Sequence, residues 1–225
     1  MLTSRTTLPM LIGAICTNAA LGDMVGIVNI TSSNGFSQTA SLYGIPLGDG
    51  SMYWTHQLNS DDFTVSTTMV GNPEAASIGT VLQVVNGSTA MLQFNIAFSM
   101  TLEALPVGIS EWVASQSVTL GGIDSTLSSI IDLPLWSVTL GDVETAVLFE
   151  TPFSLNAGSE GSIAVAQNGS GSVFLTGGDS LGVHYHFELD AGATVAFSGG
   201  FATIPVPASI ALLGCWFIPV GRRRR

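Results

Sequence analysis

Between Leu92 and Met100 every second residue is large and apolar. Leu92, Phe94, Ile96, Phe98 and Met100 alternate with Gln93, Asn95, Ala97 and Ser99. An extended chain turns successive side chains to opposite faces, so this period of two places all five apolar groups on one face of a strand. A helix would scatter them around its axis. The pattern returns in Ile163 and Val165, Val173 and Leu175, Tyr185, Phe187 and Leu189, then Val195 and Phe197. Turn residues separate these runs. Strands that are each apolar on one face must bury those faces against one another, in two packed sheets or a barrel. The expected class is all-β, an antiparallel β-sandwich of jelly-roll-like type with about ten to thirteen strands.

Turn chemistry divides the chain further. Asn86-Gly87 follows the apolar run Val81 to Val85, and Asn-Gly is the strongest short hairpin signal, so Val81 to Met100 is expected to form a hairpin. Asn34-Gly35 and Asn168-Gly169 are expected turns, and Gly121-Gly122, Gly177-Gly178 and Gly199-Gly200 punctuate the rest. One short helix is expected over Ser125 to Ile131, capped by Asp124. No internal repeat is evident, so residues 23–203 are expected to form a single domain.

Charge is distributed unevenly. The chain has no lysine, and its five arginines are Arg5 and Arg222 to Arg225. All sixteen acidic residues lie between Asp23 and Asp190. The body therefore has no Lys or Arg with which to form an ion pair, and it repels nucleic acid and anionic lipid. Divalent cations or basic partners would be attracted. The two cysteines, Cys16 and Cys215, fall near the two ends. The body has none, so it has no disulfide to stabilise it and relies on its core.

Both ends carry targeting patterns. Arg5, the apolar stretch Leu8 to Ile15 and small residues at Ala19, Ala20 and Gly22 follow the order of a secretory signal peptide, expected over residues 1–22 as a signal helix. At the other end, Pro205-Val206-Pro207 precedes thirteen uncharged residues from Ala208 to Val220, then Arg222, Arg223, Arg224 and Arg225 close the chain. Thirteen residues are short for a permanent membrane span, which needs about 20. The arginines would stay on the cytoplasmic side of a short apolar helix. This tail, residues 204–225, resembles the C-terminal sorting signal of PEP-CTERM proteins, the substrates of bacterial exosortases. Val206 stands where that family usually has Glu. The resemblance covers under a tenth of the chain. It implies export, transient membrane insertion through the tail, cleavage by an exosortase-type enzyme, and release to the cell surface or extracellular matrix.

Few residues in the body offer chemistry. His184, His186, Glu188 and Asp190 would share one face of a strand, a donor set suited to zinc or another divalent transition metal. Simple alternation with Tyr185, Phe187 and Leu189 in the core predicts the same face with no metal. Tyr53 and Trp54 are adjacent on an expected strand, so one of them must point outward, where it could stack on a sugar. Trp112 and Trp136 are expected near strand ends. Asp61-Asp62 could contribute to a calcium site, although no EF-hand loop is present. The body has no thiol, so no cysteine nucleophile is available. The expected role is structural or adhesive, at a cell surface or in a matrix, without catalysis or a required cofactor. The alternatives are a carbohydrate-binding module that contacts extracellular polysaccharide, and a metal-dependent enzyme centred on His184 and His186.

Overall fold

A computed structural model describes residues 25–103, 107–175 and 180–205. The signal segment, the end of the sorting tail from Val206 onward and Gly177-Gly178 lie outside the described residues. Among those described, the regular secondary structure is strand apart from one short 3-10 turn, Gly158–Glu160, and the strands form two antiparallel sheets.

Sheet A contains eight strands. Its main path runs β11 (Val143–Leu148), β10 (Trp136–Leu140), β14 (Ser180–Leu189), β7 (Leu92–Thr101), β1 (Val25–Ser32) and β2 (Ser37–Tyr43). Two short strands, β9 (Thr126–Ser129) and β12 (Ser154–Asn156), extend it beside β14. Sheet B contains seven. They run β13 (Ser162–Leu175), β8 (Gly108–Gly121), β15 (Thr194–Pro205), β6 (Ser77–Asn86), β5 (Phe63–Asn72), β4 (Met52–Asn59) and β3 (Ile45–Pro46).

The alternation read from the sequence decides which side of each strand is inside. Leu92, Phe94, Ile96, Phe98 and Met100 are all buried, as are Leu181, Val183, Tyr185, Phe187 and Leu189 on the neighbouring β14. They meet the inner face of sheet B, where Val195 and Phe197 are fully buried. Aromatic rings tie the layers. Phe63 of β5 meets Phe94 of β7 edge-on at 5.2 Å, Phe94 stacks on Phe187 at 5.3 Å, and Phe187 meets Phe197 of β15 at 5.2 Å. Such pairs add about 0.5–1.5 kcal/mol each beyond the area they bury. One polar bond also crosses the core. The Tyr185 hydroxyl and the Thr80 hydroxyl are 2.5 Å apart, and burial pushes the Tyr185 phenol up to about 12.

Several local expectations are corrected. The Asn86-Gly87 signal does not close a hairpin. β6 lies in sheet B and β7 in sheet A, so the chain crosses between layers there. The reason is Asn86 itself, which is fully buried. Its amide nitrogen donates to the carbonyls of Ala90, Leu189 and Asp190, at 2.9, 2.8 and 3.1 Å. Its carbonyl accepts from the Ser88 N–H and hydroxyl. Its backbone accepts from Gly192 N–H and donates to Ala193 O. Asn86 thus joins the β6–β7 crossing to the β14–β15 crossing, which is a corner of the sandwich rather than a turn of one sheet.

The helix expected over Ser125 to Ile131 is absent. Thr126–Ser129 is strand β9, with Leu127 buried beneath it. Asp124 has φ +53°, and its N–H donates to Gly158 O, so it caps nothing. The Asp190 carboxylate, 2.7 Å from Thr126 N, helps hold the segment extended against β14. Asn168-Gly169 and Gly199-Gly200 are not turns either. They lie inside β13 and β15. A Cβ on Gly171 would come 2.8 Å from the Trp112 indole, and one on Gly169 would touch it at 3.4 Å. Those glycines leave room for a tryptophan instead of bending the chain. Asn34-Gly35 does form the β1–β2 turn, with Gly35 at φ +90° and Asn34 Oδ1 accepting from Phe36 N. Fifteen strands are present among the described residues, more than the ten to thirteen expected, because β3, β9 and β12 are too short to show a period.

Candidate functional site

The histidine row lies on the outer face of sheet A. His184, His186, Glu188 and Asp190 share that face and are all half-buried. Each is already engaged. His184 Nε2 lies 3.2 Å from the Thr139 hydroxyl, and His186 Nδ1 lies 2.8 Å from Asn95 Oδ1. Glu188 accepts from Gln93 Nε2 at 2.7 Å and from the Ser128 hydroxyl at 3.2 Å. Asp190 is used in holding β9. The two imidazoles stack with centroids 6.1 Å apart. Burial holds both below the usual histidine range. Glu144 partly opposes this at His184, and His184 adds to it at His186. Among the described residues, no group of three or more His, Cys, Asp or Glu is placed to hold a metal ion.

The aromatic pair separates as its alternation requires. Trp54 points inward and is 2 % exposed, so it offers no face to a sugar. Gly26, Gly44 and Gly71 surround its ring. Tyr53 points outward and is half-buried on sheet B. Trp112 sits within β8 rather than at its end, stacked on Phe201 at 6.1 Å, and Trp136 is buried at the start of β10. Asp62 accepts from Asn34 Nδ2 at 2.8 Å, and among the described residues it belongs to no group of three or more acids or histidines placed to hold a metal ion. Pro205 closes β15 opposite Ser110, and Val206, Pro207 and the four terminal arginines lie outside the described residues.

A different feature occupies the outer face of sheet B. A shallow trough of 640 Å³ crosses five strands, lined by Val70, Ser77, Gly79, Val113, Ser115 and Asn168 among others. Strand register explains it. Tyr53, Val70, Gly79, Gly200, Ser115 and Asn168 stand side by side on β4, β5, β6, β15, β8 and β13. Gly79 and Gly200 meet at the middle of that row with no side chains, so the floor drops there. Val70 and Val113 rise beside it, with Tyr53 at one end and Asn168 at the other.

The floor is kept low by backbone proximity. A Cβ on Gly200 would lie 2.7 Å from the Ile78 carbonyl oxygen, while one on Gly79 would meet nothing closer than 3.9 Å. The seven strands of sheet B contain a single charged residue, Glu111. Most of the described acids lie outside the strands, so a body of formal charge −16 presents one nearly neutral face. The sequence does carry a signal for this site. Glycine inside a strand pattern marks close approach of backbone or ligand, and Gly79 and Gly199-Gly200 are such glycines.

No protein-family model and no curated protein matches this chain. Among solved structures, a carbohydrate-binding module described for specific mannan recognition, TmCBM27, aligns at 10 % identity and a TM-score of 0.27. The alignment covers 68 % of this chain and 89 % of that one. A TM-score at that level supports no functional inference. Among the described residues, no helix is long and apolar enough to cross a membrane.

Proposed function

We propose that this protein is an exported surface or matrix component whose β-sandwich body adheres to an uncharged polysaccharide. The observation that carries the reading is the neutral trough on sheet B. Clefts that hold sugars need a shaped, mostly apolar floor with a few polar groups to orient hydroxyls. Here Gly79 and Gly200 supply the floor, Val70 and Val113 the apolar walls, and Ser77, Ser115 and Asn168 the hydroxyl and amide groups. Tyr53, next to Val70 in the row, offers an aromatic ring just beyond the trough's end. Anionic polysaccharides would meet the acidic loops, so a neutral chain is the matching ligand. On this reading the body holds sugar without transforming it, and its role is adhesive.

The sorting tail supplies the address in this proposal. An exosortase-type enzyme would act on the tail after the signal segment is removed, and would release the acidic body outside the cell. Two measurements test the two halves. Pull-down on neutral and anionic polysaccharides should retain the protein on a neutral one. Gly79→Val, which fills the floor where a Cβ has room, should abolish retention, and Tyr53→Ala should weaken it. Failure to bind any polysaccharide, or retention unaffected by Gly79→Val, overturns the glycan reading. Intact mass of the exported form should lack Arg222 to Arg225, and their presence overturns the sorting reading.

A further inference from the structure

Sheet B ends on β13, and this edge differs from the others. β13 runs for 14 residues, and all 14 pair with β8 without a register break. Among the described residues, nothing pairs with its other side. Such an edge presents a row of unpaired N–H and C=O groups, a template for another strand. Folded chains blunt edges by shortness, charge, proline or bulges. At the other end of sheet B, β3 has two residues and one of them is Pro46. On sheet A, β2 has seven residues. β11 has six, carries Glu144 after Asp142 and pairs across a register shift at Val138/Thr139. β13 has none of these devices. Its sequence, SIAVAQNGSGSVFL, contains no charge and no proline, and residues 161–178 are uncharged throughout.

We propose that β13 pairs antiparallel with β13 of a second copy about a two-fold axis at Asn168, joining two seven-stranded sheets into one. Charge identifies the occupant. Two bodies of formal charge −16 repel wherever their loops face, and a cationic partner would be drawn to those loops rather than to a neutral edge. The β13 edge is where like copies can meet without opposing carboxylates. A two-fold contact must also be self-complementary, and β13 is. An axis at Asn168 sets Ile163 opposite the second copy's Val173, Val165 opposite Gly171, and Gln167 opposite Gly169. On the other face, Ala166 meets Ser170 and Ala164 meets Ser172. The two Asn168 amides face each other, each able to donate and to accept. The lone sheet charge, Glu111, stands opposite Ser172. Its row therefore continues through Ala164 to Thr119 of the second copy and never reaches the other Glu111. A consequence rests on the glycan reading above: because Asn168 ends the trough, the axis lays two troughs end to end across the joined sheet.

Cysteine cross-linking tests the pairing in the full chain, with Cys16 and Cys215 replaced by Ser. Asn168→Cys should give a disulfide-linked dimer under mild oxidant. Ala164→Cys should cross-link with Ser172→Cys when the two proteins are mixed, and not with itself. Ser198→Cys, exposed mid-sheet on β15, serves as the control. Asn168→Asp should weaken the dimer seen by sedimentation by roughly tenfold or more, since like charges directly opposite repel. No cross-link at Asn168→Cys, equal cross-linking at Ser198→Cys, or a monomer at every concentration overturns the pairing. Gly79→Val should leave the cross-link intact while abolishing polysaccharide retention. Retention that survives Gly79→Val therefore counts against the trough alone, and a missing cross-link in a protein that still binds polysaccharide counts against the edge alone.

Discussion

The outer face of sheet A is rich in groups that do chemistry, while the outer face of sheet B is built mainly from Gly, Ala, Ser, Thr and Val. His184, His186, Glu188, Asn95 and Gln93 on sheet A hydrogen-bond within their own face. Their lone pairs and donors are largely spent on neighbours. On sheet B, Gly79, Gly200, Ser115 and Ala202 leave space instead of filling it. A ligand needs unoccupied volume and unspent polar groups more than it needs reactive side chains. The face with the less conspicuous residues is therefore the better candidate site.

The two faces stay back to back only while the crossings between sheets hold, and Asn86 is their joint. Asn86→Ala takes this donor from the buried Leu189 carbonyl and leaves Asp190 O with Ala193 N–H alone, and an unsatisfied buried group costs about 1–3 kcal/mol. A loss of about 3 kcal/mol is expected in denaturant unfolding, the largest single effect predicted. A loss below about 1 kcal/mol would mean that the corner is held by something other than this amide.

A second substitution pair separates the floor of the trough from its shape. Gly200→Ala would press a methyl against the Ile78 carbonyl and should cost roughly 2 kcal/mol, because a strand must move. Gly79→Ala has room and should change stability by no more than about 1 kcal/mol, and in the stabilising direction if at all. Thermal unfolding of the two variants checks this. Equal effects would show that the close approach at Gly200 does not shape the floor.

How legible these features were follows from range. Strand faces were readable wherever the period is strict, as at Leu92 to Met100, because alternation is a local property. Asn86-Gly87 misled because its hydrogen bonds go to residues about 100 positions away, which no turn rule contains. Gly169 and Gly200 misled in the same sense. They make room for Trp112 and for the Ile78 carbonyl on adjoining strands, and room for a distant neighbour looks like a turn signal in one dimension. Of the trough's row, only Tyr53 stood out beforehand as a site residue. The histidine face was placed correctly on one side of one strand, yet its partners Thr139, Asn95 and Gln93 come from β10 and β7.

The histidines provide a smaller test of sheet A. Burial lowers the folded pKa of both His184 and His186 from 6.5, so the fold favours their neutral forms. Their contribution to stability is full above the unfolded value and is lost as pH falls through the lowered folded values. Most carboxylates titrate below that window. The midpoint of thermal unfolding should decline modestly from pH 7 to pH 5, and His184→Asn with His186→Asn should flatten that slope, leaving what His56 contributes. An unchanged slope in the double variant would show that the pair is as solvated folded as unfolded.

The smallest expected effect is that of zinc. A metal that binds only the folded state raises its stability by mass action. For His184, His186, Glu188 and Asp190 to bind one, the Glu188 carboxylate would have to leave Gln93 and Ser128. Asp190 would have to release Thr126, and with it the pairing of β9. The departures leave the half-buried Ser128 hydroxyl and Thr126 N–H unpaired, which offsets the gain in coordination. Two imidazoles alone make a weak site beside the usual four ligands of bound zinc. Excess zinc should therefore leave the unfolding midpoint where it was, and dialysed protein should retain no stoichiometric metal. A rise in the midpoint that disappears in the His184→Asn, His186→Asn variant would reverse the contrast between the two faces and make sheet A the site.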